Sequence, residues 1–88
     1  MTEKRINLIK KSLEFLNPVK IDIKDQGHLH VGHAGAKSGG HFDLLIVSND
    51  FEGKTQVERH KIIYEALGVL MKTEIHALSI KALSPSEI

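Results

Sequence analysis

Apolar residues between Thr2 and Leu16 recur at the spacing of one helical face. They are Ile6, Leu8, Ile9, Leu13 and Leu16. Lysine and glutamate occupy positions between them, and Asn17-Pro18 follows directly. Because proline disfavours helical geometry in the residue before it, the pattern predicts an amphipathic helix that ends at this dipeptide.

Two further segments have the pattern of strands. The segment VKIDIKD (19–25) alternates apolar and charged residues, which is typical of a half-buried strand. The segment HFDLLIVSND (41–50) contains a nearly continuous apolar run, which indicates a more deeply buried, central strand. A stretch rich in histidine and glycine (27–42) joins or extends these two strands.

The second half of the chain predicts a helix and then a strand. Thr55 and Glu58 have the spacing of a capping box, in which a hydroxyl and a carboxylate each bind a free backbone N–H. A helix should therefore begin there, and Gly68 should divide it or weaken its end. The segment IHALSIKA (75–82) alternates Ile75, Ala77 and Ser79 against His76, Leu78 and Ile80. This predicts a third strand before Pro85, where we expect the ordered part of the chain to end.

The order helix, strand, strand, helix, strand predicts a single α+β domain over residues 1–88. The two consecutive strands are expected to be antiparallel, and the two that flank a helix are expected to be parallel. The expected fold is therefore a three-stranded mixed sheet with helices on one face.

Composition excludes several classes of function. The chain has no cysteine, which excludes disulfides, cysteine-ligated zinc, an iron–sulfur cluster held by its own thiolates, and thiol catalysis. Twelve Lys and Arg residues against eleven Asp and Glu mean that nucleic-acid binding would need a local basic patch. No recognisable catalytic motif is present, and no stretch is apolar enough to span a bilayer. We expect a non-enzymatic, cytoplasmic protein without a small-molecule substrate.

The stretch GHLHVGHAGAKSGGHF (27–42) approaches two phosphate-binding motifs without matching either. A Gly-Lys-Ser phosphate loop needs glycine where Val31 and Ala36 stand. Gly32 and Gly35 have the Gly-x-x-Gly spacing of KH domains, but in KH domains these glycines lie between two helices. Solvated loop side chains and a metal site remain as the alternatives.

A metal site could be formed by the histidines. On an extended segment His28 and His30 would point the same way, and His33 could turn toward them through the glycine before it. His41 is equally consistent with a strand-edge residue that bonds to backbone. His76 would be held by the rigid last strand, either as a ligand or as a partly buried histidine with a backbone partner.

Several motifs at characteristic spacings resemble the BolA family. They are GHAG (32–35), GHF (40–42), VS-x-x-FEG (47–53), ERHK (58–61) and HALSIKA (76–82). The resemblance covers nearly the whole chain, from the first helix to Pro85. It implies a class II KH-like fold of order αββα(α)β, which agrees with the order of elements predicted above.

The resemblance also implies a partner and a cofactor. BolA-like proteins pair with monothiol glutaredoxins around a shared two-iron two-sulfur cluster, to which the glutaredoxin and glutathione supply thiolates and the BolA-like chain supplies histidine nitrogen. His76 matches the C-terminal histidine of the family and is the first expected ligand. The second is expected between the first two strands, where His30 and His33 rank above His28 and His41. The isolated chain is expected to hold no cofactor.

DNA binding is the alternative function, because some bacterial BolA-like proteins are transcriptional regulators. The resemblance associates Arg59, His60 and Lys61 with partner or nucleic-acid contact, and Lys81 could join them. Phosphate contacts could come from a basic strip of Lys54, Arg59, Lys61, Lys72 and Lys81. Interspersed glutamates dilute this strip. A third possibility is weak zinc or copper binding by the loop histidines.

Overall fold

The computed structural model describes residues 2–26 and 40–88. In these ranges three strands, β1 (Lys20–Asp25), β2 (Gly40–Val47) and β3 (Ile75–Leu83), form one sheet in the order β1-β2-β3. β1 pairs with β2 antiparallel, and β2 pairs with β3 parallel. The predicted strand directions and the central position of β2 are confirmed.

Helices α1 (Thr2–Ser12), α2 (Gln56–Leu67) and α3 (Leu70–Thr73) pack on the sheet. The first helix is shorter than predicted, because the chain tightens into a 3₁₀ turn over Glu14–Leu16 before Asn17 adopts a left-handed backbone with φ 46°. Further 3₁₀ turns span Asn49–Phe51 and Pro85–Glu87. The expectation that order ends at Pro85 is therefore wrong, since this proline begins a turn that folds back on the domain.

The core lies between the helices and one face of the sheet. Its buried residues are Ile9, Leu13, Leu16, Ile23, Phe42, Leu44, Ile46, Phe51, Ile63, Leu67, Ile75 and Ala82. On the opposite face, the side chains of Asp43, Ser79 and Lys81 are exposed. The described helices thus cover one face, as predicted. No helix within residues 2–26 and 40–88 is long and apolar enough to cross a membrane.

Local sequence signals set both ends of α2. The Thr55 hydroxyl accepts a hydrogen bond from the Glu58 N–H at 3.1 Å, and the Glu58 carboxylate accepts one from the Thr55 N–H at 2.8 Å. The backbone bond from Thr55 lowers the pKa of Glu58 below its usual value. Gly68 ends the helix with φ 51°, a conformation that favours glycine. The predicted capping box and the division at Gly68 are confirmed.

Candidate metal-ligand site

A bulge at the start of β3 sets the position of His76. Gly40 of β2 lies opposite Ile75, whereas the next residue, His41, lies opposite Ala77. One step along β2 therefore corresponds to two steps along β3, and His76 is the extra residue. Bulges of this kind re-aim side chains and are common beside functional sites.

The alternation predicted for β3 is wrong at this bulge. Simple alternation places Ile75 and Ala77 on one face, and Leu78 and Ile80 on the other. In the structure Ile75 is buried and Ala77 is exposed, while Leu78 and Ile80 pack against the core. The bulge shifts the alternation of inward and outward side chains by one residue. His76 and Ala77 therefore both lie outside the core.

His76 lies beside His41. Their ring centroids are 4.9 Å apart, and the ring planes are tilted by 34°. His41 is half-buried and His76 is exposed. Two imidazoles that bind one metal ion through nitrogens at about 2 Å have centroids about 5 Å apart. The separation is therefore compatible with two ligands to one metal, and it is equally that of two packed aromatic rings.

Gly40 and Glu74 form the first rung between β2 and β3 at this site. The Gly40 N–H donates to the Glu74 carbonyl oxygen at 3.1 Å, just before the bulge. A Cβ atom at position 40 would overlap the ring of Phe42, so a larger residue would displace that ring. The Glu74 carboxylate also accepts a hydrogen bond from Nε of Arg5 at 3.2 Å. This bond ties α1 to the residue before β3.

A shallow depression with a volume of about 290 Å³ lies next to His41. Gln26 borders it and extends the pairing of β1, because its N–H donates to the His41 carbonyl oxygen at 2.7 Å. The Gln26 amide also donates to the Asp43 carboxylate at 3.1 Å. Ala77 and Ser79, which are small and exposed, complete this side of the depression. On this side of His41 the described residues therefore present small side chains around a shallow depression.

The described residues do not supply a complete metal site. No group of three or more histidine, aspartate or glutamate side chains in 2–26 and 40–88 could hold a metal ion. His41 and His76 could contribute two nitrogens at most, so further ligands must come from residues 27–39 or from another molecule. This donor set fits a cluster with two imidazoles on one iron and thiolates supplied from elsewhere.

The predicted ligands His30 and His33 lie outside the described residues, as does His28. Their assignment stays a prediction. The remaining histidine of the stretch, His41, is the one that the structure places beside His76. From sequence, His30 and His33 rank above His41, which is equally consistent with a strand-edge residue bonded to backbone.

The sequence does contain a signal for this pairing. The apolar residues of β3 that face the core are three positions apart from Ile75 to Leu78, and then two apart at Ile80 and Ala82. Such a change of period marks a bulge. Together with the expected parallel pairing, it would have placed the residue at position 76 beside the start of β2.

Arg59 is 3% exposed, and its guanidinium has internal partners. Nε donates to the Lys54 carbonyl oxygen at 3.0 Å, and Nη1 donates to the Ala82 carbonyl oxygen at 2.9 Å and to the Glu87 carboxylate at 2.6 Å. The guanidinium carbon also lies 5.9 Å from the centroid of the Phe51 ring. Arg59 thus stabilises the domain from inside and does not present its charge at the surface.

Glu87 completes this network from the C-terminal turn. Its carboxylate accepts hydrogen bonds from Arg59 and, at 2.7 Å, from the Ser84 N–H. These bonds, that from Arg59 foremost, lower the pKa of Glu87 to about 2. The amide of Gln56 adds a bond to the Ala82 carbonyl oxygen at 3.2 Å. Within the described part of the chain, every buried side-chain nitrogen and oxygen has a hydrogen-bond partner.

The other residues predicted to contact a partner or nucleic acid are accessible. His60 is half-buried, and Lys61 and Lys81 are exposed. Exposed Glu58 and Glu65 share α2 with Lys61. The accessible part of the basic strip therefore consists of lysines mixed with acids, without Arg59.

Comparison with known proteins gives one family. The profile of the family described as BolA-like protein matches residues 13–87. Two relatives from Arabidopsis thaliana are each 40% identical: "SufE-like protein 1, chloroplastic/mitochondrial", over 91% of this chain and 24% of the relative, and "Protein BOLA1, chloroplastic", over 97% and 56%. This chain therefore spans less than two thirds of either relative. The "DNA-binding transcriptional regulator BolA" of Haemophilus influenzae is 37% identical over 80% of this chain and 66% of that protein.

Solved structures agree with the profile. The structure of BolA1 from Arabidopsis thaliana matches with a TM-score of 0.81 at 35% identity, and the match covers 96% of this chain and 95% of that one. The BolA domain of SufE1 from the same plant matches with a TM-score of 0.78 at 43% identity, over 91% of each chain. The profile covers most of the sequence, and the shared fold extends over nearly all of it. The chain belongs to the BolA-like family.

Proposed function

We propose that this chain is a non-enzymatic adaptor for a monothiol glutaredoxin, and that it donates histidine nitrogen to a two-iron two-sulfur cluster shared with that partner and with glutathione. The observation that carries the proposal is the pair His41 and His76, with ring centroids 4.9 Å apart at the start of two neighbouring strands. Membership of the BolA-like family supports it, because the family resemblance implies such a partner.

Nitrogen ligation is the contribution that a chain without cysteine can make to such a cluster. Histidine in place of cysteine on one iron raises the reduction potential of the cluster. His76 and His41 stand on paired strands, so their geometry is set before a partner arrives. His30 and His33 are the alternatives for the second nitrogen. The thiolates must come from the partner and glutathione.

Complex formation is the first test of this proposal. The purified chain is mixed with a cluster-loaded monothiol glutaredoxin, and visible circular dichroism is recorded across size-exclusion fractions. We expect the cluster spectrum to change and to elute with a heterodimer of the two chains. Separate elution of the two proteins with an unchanged glutaredoxin spectrum would reject the adaptor role.

DNA binding is a second candidate function, favoured by a specific observation. Four lysines of the predicted basic strip are exposed, namely Lys54, Lys61, Lys72 and Lys81, and the Haemophilus influenzae relative is named as a DNA-binding regulator. Phosphate contacts from these side chains would weaken as salt increases.

Fluorescence-anisotropy titration of duplex DNA over a series of salt concentrations tests this second role. Lys61→Ala should reduce the slope of log affinity against log salt by about 1. Lys20→Ala is the matched control, because Lys20 is exposed on β1, outside the strip. Equal slopes for both variants, or no saturable binding, would reject the role.

A further inference from the structure

The two edge strands of the sheet differ in charge. β1 carries four charged side chains in its six residues, namely Lys20, Asp22, Lys24 and Asp25. β3 carries Lys81 as the single Asp, Glu, Lys or Arg in its nine residues. Because charged side chains on an edge strand hinder pairing with other chains, the outer edge of β3 is the less protected of the two.

The pairing of β3 with β2 determines which residues of β3 direct their backbone N–H and C=O groups away from the sheet. The Leu83 carbonyl oxygen accepts a hydrogen bond from the Ser48 N–H at 3.0 Å, so it points toward the β2 side. Successive residues of a strand direct their backbone groups to alternate sides. Ala82, Ile80 and Leu78 therefore direct N–H and C=O away from β2.

Only part of this outer edge is satisfied within the described residues. The Ala82 carbonyl oxygen accepts hydrogen bonds from Gln56 and Arg59 of α2. β3 is the last strand of the sheet, so no described strand pairs with Leu78 and Ile80 on this side. Both side chains are half-buried and face the helices. The described residues therefore leave a short edge with two outward-facing residues between the bulge and Ala82.

We propose that β3 pairs antiparallel with β3 of a second copy of this chain, about a two-fold axis at Ser79. In this register Leu78 lies opposite Ile80 of the second copy, and each such pair exchanges two backbone hydrogen bonds. Lys81 lies opposite Ala77, and Ser79 lies opposite its own counterpart, so no like charges face each other. The edge is therefore complementary to itself in backbone groups and in charge.

The partly buried apolar side chains of Leu78 and Ile80 on this edge strand support a second copy as the occupant. Pairing would bury more of Leu78 and Ile80 on the helix side of a continuous six-stranded sheet. A two-fold register reuses the same surface on both copies, as closed dimers do. This self-association goes beyond the adaptor role and does not depend on it.

A cysteine scan tests the register directly, because the chain has no native cysteine. In Ser79→Cys the two introduced thiols would face each other across a pair whose Cα atoms are about 4.5 Å apart, within the range of a disulfide. Asp22→Cys is the matched control on the other, charged edge strand. Under mild oxidation at equal protein concentration, we expect Ser79→Cys to form linked dimers at least about tenfold faster. Equal rates would overturn the proposal.

Ser79→Lys tests the same register without a cross-link. In the dimer two lysines would oppose each other, whereas within one chain the new lysine lies opposite Asp43 of β2 and leaves the fold intact. Sedimentation equilibrium should show a dimer dissociation constant raised about two- to fivefold, with an unchanged far-ultraviolet circular dichroism spectrum. An unchanged constant would overturn the register, and a wild-type chain that stays monomeric at millimolar concentration would overturn the dimer.

Discussion

The two ends of β3 use polar side chains in opposite ways. At its C-terminal end, Arg59 and Ser84 are 3% and 1% exposed, and hydrogen bonds join the guanidinium to Ala82 and Glu87. At its N-terminal end, His76 is exposed and lies beside another imidazole. A buried polar group whose hydrogen bonds are all formed within the protein stabilises the fold. A polar group held at the surface in a defined geometry remains available to an external ligand.

Removal of the buried guanidinium should give the largest effect on stability. Arg59→Ala deletes the bonds to Lys54, Ala82 and Glu87 and leaves a cavity beside Phe51. Because the variant loses a buried side chain together with its hydrogen bonds, the free energy of unfolding should fall by about 2–3 kcal/mol. Urea denaturation followed by circular dichroism measures it.

The opposite end of β3 supplies the matched control for Arg59→Ala. His76→Ala removes an exposed side chain, so the free energy of unfolding should change by no more than about 0.5 kcal/mol. If the free energy of unfolding fell by a similar amount in both variants, the proposed division of β3 into a structural end and a ligand end would be contradicted.

A smaller effect is expected from Gly40→Ala, beside His41 at the start of β2. The added methyl group would displace the ring of Phe42 and disturb the first rung of β2 and β3. Such overpacking should cost about 1–3 kcal/mol, and two-dimensional NMR should show shifts of the His41 and His76 ring signals. Gly53→Ala is the comparison, because no atom lies within 4 Å of its Cβ position and the strain comes from its φ of +77°. Unmoved histidine signals in Gly40→Ala would contradict the role of this glycine.

The smallest effect concerns the pH dependence of the structural end. The pKa of Glu87 is lowered to about 2 from an ordinary value of 4.5. A carboxyl with a lowered pKa in the folded state stabilises the fold above its ordinary pKa, and this contribution is lost as pH falls from about 4.5 to 2. Glu87→Gln should therefore flatten the fall of the urea midpoint between pH 5 and pH 2.5. Equally steep profiles for the variant and the wild type would show that Glu87 does not contribute.

The features that the sequence predicts correctly depend on local chemistry. The capping box at Thr55 and the end of α2 at Gly68 involve residues close in sequence, whose geometry the backbone sets directly. Strand directions follow from whether a helix lies between two strands. These rules required no knowledge of side-chain contacts.

The features that sequence reasoning misses depend on contacts between distant residues. The family resemblance associates Arg59 with partner or nucleic-acid contact, yet partners as far as 28 positions away in sequence allow it to be buried. His41 and His76 are separated by β2, α2 and α3, and a single bulged residue in β3 brings their rings together. Burial and bulges change which face a side chain occupies, and neither follows from composition.

The most direct test of the ligand assignment is the visible circular dichroism of the heterodimer with a cluster-loaded monothiol glutaredoxin, measured for the wild type and for three histidine variants. His76→Ala and His41→Ala should each alter the cluster bands, because each removes a nitrogen from the pair. His60→Ala removes an imidazole from α2, where a partner contact would change the affinity, and at full complex formation it should leave the bands unchanged. Wild-type bands in the His76→Ala complex, at full complex formation, would contradict the assignment of this end of β3 as the ligand site.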